Sequence, residues 1–96
     1  MNYVMYATAK NKLYSIYTDI TRSENKENVL VDILFRVEEL DDNNEETKVV
    51  KELKNMYVYD PGLTDHQIND GVANMYATTI KVDANVEDEN EIKWHH

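Results

Sequence analysis

At 96 residues and a formal net charge of −9, the chain reads as one small acidic domain. It has no cysteine, which excludes thiol catalysis, disulfides and cysteine-based zinc sites. Residues 1–36 carry a net charge of +1 and residues 37–96 a net charge of −10, a surface that repels DNA, RNA and anionic lipid and attracts basic proteins. No basic region precedes an apolar run at the N-terminus, and no run reaches bilayer length. The sequence therefore predicts a cytoplasmic protein without signal peptide or membrane span.

Asn2–Ala9, "NYVMYATA", is rich in Tyr, Val and Thr and predicts a strand. A polar turn at Asn11 leads to "LYSIYTDIT", where Tyr14, Ile16, Thr18 and Ile20 alternate, so the two stretches predict a hairpin. One helix over the same region is the competing reading, because Tyr6, Ala9, Leu13, Ile16 and Ile20 also fall at helical spacing. After "RSENKEN", Val29, Val31, Ile33, Phe35 and Val37 share one face of a central strand, with Asp32 and Arg36 on the other. "EELDDNNEE" reads as a charged loop. "TKVVKELKNMYVYD" fits a returning strand ending in "MYVY" slightly better than a short amphipathic helix capped by Asn43 and Glu46.

Pro61 and Gly62 suit the two central positions of a type II turn. Thr64 and Gln67 then form a capping-box pattern, with Leu63 and Ile68 as a hydrophobic staple, and predict a helix over about 64–74. Gly71 inside it implies either close backbone packing or a weak helix. Beyond it, Tyr76, Thr78, Ile80, Val82, Ala84 and Val86 alternate and predict a closing strand. Residues 88–96 read as a flexible acidic tail behind a single domain of residues 1–87. The expected fold class is α+β: an antiparallel sheet of four to five strands with one short helix packed on it.

The quartet Met-Tyr-Ala-Thr occurs at Met5–Thr8 and at Met75–Thr78. The flanks do not match at the offset, so it is no internal repeat. Both copies are expected in strands, with Tyr6 and Tyr76 facing the core.

Catalytic constellations do not assemble. His66 falls in the first turn of the expected helix, where the dipole disfavours its protonation. Neither Ser15 nor Ser23 lies in a nucleophile-elbow context, and Gly62 and Gly71 make no phosphate loop. "DANVEDENE" resembles a calcium loop only superficially: Asp88 stands where the turn needs glycine, and Trp94 where a bidentate glutamate belongs. His95 and His96 form no metal-site pattern. No cofactor or metal is expected.

Two acidic runs remain. Glu38, Glu39, Asp41, Asp42, Glu45 and Glu46 form the first; Asp83, Glu87, Asp88, Glu89 and Glu91 form the second. The plain reading is a solvated loop and a frayed tail. The functional reading is an anionic surface that imitates spaced phosphates, since basic residues that release counterions on binding DNA respond similarly to carboxylates. Seven tyrosines against one Phe and one Trp add an interface signature, with Tyr57 and Tyr59 the leading candidates. The expected function is a non-enzymatic acidic binding protein. By analogy of type, it is an inhibitor that phages and mobile elements encode against the basic nucleic-acid-binding surface of a host nuclease or similar enzyme, as anti-CRISPR and anti-restriction proteins are. The alternative is a structural or assembly subunit acting through homo-oligomerisation.

Overall fold

The computed structural model describes residues 1–41, 43 and 46–95, with Glu46 and Thr47 described as backbone only. The described residues form strands β1 (Asn2–Ala9), β2 (Lys12–Glu24), β3 (Val29–Leu40) and β4 (Glu46–Tyr59), helix α1 (Asp65–Ala84), a short 3-10 turn (Glu89–Glu91) and β5 (Lys93–His95). The sheet runs β4-β3-β2-β1-β5 with every neighbouring pair antiparallel. One α-helix packs on it, so the expected α+β class is observed.

Each connection has a local cause. Lys10 and Asn11 both take positive φ, 46° and 64°, as a two-residue primed hairpin turn requires. Asn25 Oδ1 accepts from the backbone N–H groups of Glu27 and Asn28 and shapes the β2–β3 turn. Gly62 lies at φ 100°, the left-handed side that the third residue of a type II turn needs.

Alternation then decides the core. Ala7 and Ala9 of β1, Tyr14, Ile16, Thr18 and Ile20 of β2, and Val29 through Val37 at every second position of β3 are buried under α1. The helix contributes Ile68, Val72, Tyr76, Ile80 and Ala84, spaced by four residues. Tyr6 is a correction: it lies on the uncovered face, 44 % exposed. The period of two sends Met5, Ala7 and Ala9 to the helix side, and Tyr6 with Val4 to the other.

The capping box is formed. Gln67 N–H donates to Thr64 Oγ1 at 3.2 Å, and Thr64 N–H donates to Gln67 Oε1 at 3.0 Å. Arg22 of β2 binds Asp65 of the first turn at 2.7 Å and ties the helix start to the sheet. Thr64→Ala is expected to lower stability by about 1 kcal/mol and Thr64→Ser to be near neutral, as read from chemical denaturation. Equal effects of the two would show that the cap contributes nothing.

The helix is longer than expected, and the closing strand over residues 76–86 is not formed. Residues Tyr76–Ala84 continue α1, so the quartet Met-Tyr-Ala-Thr is strand at its first occurrence and helix at its second. Burial shows why: Ile80 and Ala84 are buried while Val82, which the alternation placed beside them, is 77 % exposed. Thr78 and Thr79 donate to the carbonyls of Asn74 and Met75 one turn back. Asn85 ends the helix at φ 55°, and Val86 N–H donates to Lys81 O at 3.0 Å, closing the last turn. Gly71 is exposed, and a Cβ there meets nothing within 4 Å, so close backbone packing does not explain it.

The segment expected as a flexible tail also joins the fold. Ile92 is buried, β5 pairs with β1 through Ala7 and Trp94, and the Trp94 and Tyr76 rings lie 5.5 Å apart. Two apolar side chains in an otherwise polar stretch suffice to anchor it. No helix among the described residues is long and apolar enough to cross a membrane.

Candidate functional site

The first acidic run is not a loop along its whole length. β3 extends through Leu40, and strand alternation sends Glu38 and Glu39 to opposite faces. Glu38 is 8 % exposed and lies 3.5 Å from Arg36 Nη1. Glu39 faces the helix side and lies 3.8 Å from Lys12 Nζ. Asp41 is half-buried just past the strand. Asp42 and Glu45 lie outside the described residues; Glu46 opens β4, paired with Leu40, and its side chain also lies outside the description.

The second run divides too. Glu87, Asp88, Glu89 and Glu91 are exposed, and Asp88 Oδ1 accepts from Asn90 N–H at the head of the 3-10 turn. Asp83 sits in the last turn of α1 and turns inward. Its Oδ2 accepts a 2.6 Å hydrogen bond from Tyr14 Oη, and its Oδ1 lies 3.5 Å from Lys48 Nζ. Lys12 Nζ lies 3.9 Å from Asp83 and 3.8 Å from Glu39, so one lysine bridges the two runs. Residues 83–91, the β1–β2 turn, the end of β3 and the start of β4 thus share one end of the molecule.

This half-buried polar cluster is ordered by electrostatics. A carboxylate near a helix C-terminus is unfavourable. Burial pushes the Asp83 pKa up, but the Tyr14 hydroxyl and the charges of Lys48 and Lys12 outweigh burial and hold it below the ordinary aspartate value. Burial, with the hydrogen bond to Asp83, pushes the Tyr14 phenol well above its ordinary range, so it stays a donor. Sequence reasoning missed the cluster. Tyr14 and Asp83 are 69 residues apart, and no local pattern marks one as the other's partner.

The helix leaves β4 partly bare. A groove of about 750 Å³ runs between α1 and β4, with Phe35, Val50, Leu53 and Tyr57 along the sheet and Met75 and Val82 on the helix. Tyr57 and Tyr59, half-buried, stack with ring centroids 6.2 Å apart. Among the described residues nothing forms a layer over the opposite face of the sheet, which exposes Val4, Tyr6, Val49, Met56 and Val58. His66 is exposed and pairs with Asp70 at 3.2 Å, one helical turn on. His95 contacts Thr8 Oγ1 at 3.1 Å, and His96 lies outside the described residues. Among the described residues no three His, Asp or Glu side chains converge as metal ligands. What the arrangement offers is surface: an acidic end, an apolar groove beside a free strand edge, and an uncovered sheet face. Comparison with protein-family models, with curated proteins and with solved structures finds no match for the chain.

Proposed function

We propose that the protein is a non-enzymatic acidic binding protein whose partner is basic, of the kind that a nuclease or other nucleic-acid-binding enzyme presents to its substrate. One observation carries the reading: the two acidic runs, remote in sequence, meet at one end of the molecule, where Lys12 bridges Glu39 and Asp83 and exposed Glu87, Asp88, Glu89 and Glu91 stand beyond them. Carboxylates gathered there attract a surface that otherwise binds phosphates, and they raise the association rate most at low salt. Inhibition of a host enzyme by occupying its nucleic-acid site, in the anti-CRISPR or anti-restriction manner, is the corresponding biological role.

The test replaces Glu87, Glu89 and Glu91 with Gln and Asp88 with Asn, which keeps size and the capping oxygen. Glu38 and Asp83 stay, because both are largely buried and their charges are structural. The fold is expected to survive, since exposed charge changes cost little. Capture of basic proteins from a host lysate at low salt is expected to weaken, and its salt dependence to flatten. Equal capture by parent and variant at matched salt would end the reading. A second reading, homo-oligomeric assembly, is favoured by the apolar residues of the uncovered sheet face. Sedimentation of the parent against Val4→Lys/Met56→Lys decides it.

A further inference from the structure

β4 is an edge strand of 14 residues, so one side of its backbone presents N–H and C=O groups with no strand beside them among the described residues. Directly alongside lies the groove under α1, with Phe35, Leu53, Tyr57, Met75 and Val82 as its apolar lining and Lys51, Asn74, Thr78, Thr79 and Asp83 as its polar lining. An open edge next to an apolar trough is the geometry in which an added strand gains backbone hydrogen bonds and drops every second side chain into a pocket.

Charge says what kind of strand. On a chain of net charge −9, the stretch from Lys48 to Tyr59 carries three lysines against one glutamate. Lys48 is engaged by Asp83 and Glu52 by Arg36. Lys51, which lines the groove, and Lys54, on the opposite face in a depression it shares with Asp19 and Asp32, are exposed and have no ion-pair partner among the described residues. Lysines on an edge repel another copy of the same edge, which is a common guard against self-pairing. Toward a strand bearing carboxylates they act in the opposite sense and select for it.

We propose that β4 and the adjoining groove form a binding site for an extended peptide segment of a partner protein. The segment is apolar at the alternate positions that enter the groove beside Phe35, Leu53 and Tyr57, and it carries Asp or Glu opposite Lys51 on the groove side and opposite Lys54 on the other face of the sheet. The site touches the acidic end at Asp83, whose side chain also lines the groove, but not at the exposed Glu87, Asp88, Glu89 and Glu91, so it serves a different part of the partner.

A phage-displayed library of random short peptides, panned on the immobilised protein, provides the probe. Enriched sequences are expected to alternate apolar residues and to contain at least one carboxylate. A synthetic peptide of that sequence is expected to bind about tenfold more weakly to Lys51→Glu/Lys54→Glu. Val82→Trp, at an exposed helix position that overhangs the groove, is expected to weaken it similarly while leaving the melting temperature unchanged. The Glu87–Glu91 neutralised variant is expected to bind the peptide as the parent does, which separates this site from the acidic end. Failure to enrich any sequence would overturn the proposal. So would peptides that lack the alternation and bind both variants undiminished, or a dimer whose interface is β4 itself.

Discussion

Phe35→Ala is expected to lower the unfolding free energy by about 3–5 kcal/mol, the range for deleting a buried aromatic ring. Phe35 sits mid-way along β3 with Thr18 on one side and Leu53 on the other, and is 1 % exposed. The helix crosses above it, so the loss falls on sheet and helix contacts together. A domain of this size holds roughly 5–10 kcal/mol in all. Urea titration at neutral pH should therefore find the variant close to unfolded, and Phe35→Leu distinctly more stable. A midpoint unchanged from the parent would place the ring outside the core.

Stability is expected to decline at both ends of the pH scale through the Tyr14–Asp83 pair. The folded pKa of Asp83 is depressed, so its contribution is present above the ordinary aspartate value of about 4 and is lost as pH falls through the folded value. The folded pKa of Tyr14 is raised, so its contribution is complete below about pH 10 and is lost as pH rises beyond it. Burial also pushes the Tyr76 phenol up to about 12, and it adds to the alkaline decline. Tyr14→Phe should remove one proton from that slope, about 1.4 kcal/mol per pH unit. It should also cost about 1–3 kcal/mol at neutral pH, because Asp83 then lacks its shortest hydrogen bond. Asp83→Asn should flatten the acid limb. Denaturant midpoints across pH measure both; an alkaline limb identical in Tyr14→Phe would show that the phenol is solvated.

Strand β3 was readable because its five apolar positions are consecutive in the period of two, with Asp32 and Arg36 between them on the other face. The capping box was readable because its two residues, Thr64 and Gln67, bond each other within a single turn. The second half of α1 was not. Its apolar residues satisfy the period of two and the four-residue spacing at once: Tyr76, Ile80 and Ala84 belong to both sets. Only the surface they meet, the sheet beneath, chooses between them by burying Ile80 and exposing Val82. The candidate site was legible in the same partial way. Composition announced the acidic runs. Which carboxylates face water and which are enclosed by Tyr14, Lys12 and Lys48 depends on strand parity and on where the helix ends. A run of like letters, such as Glu38-Glu39, is divided by the first and closed off by the second.

The order of the sheet carries a kinetic consequence. From β1 to β4 each strand pairs with its immediate predecessor, so three hairpins can zip in turn with only short loops to close. β5 is different: Tyr6 and His95 become neighbours only after nearly the whole chain has been drawn in. The hairpins can form before the ends meet, whereas β5 must wait for β1 and for the helix that carries Tyr76 beneath Trp94. The three residues of β5, last to pair, are then expected to be the first to release. In hydrogen exchange, the β1 amides that pair with β5 are therefore expected to exchange before those that pair with β2.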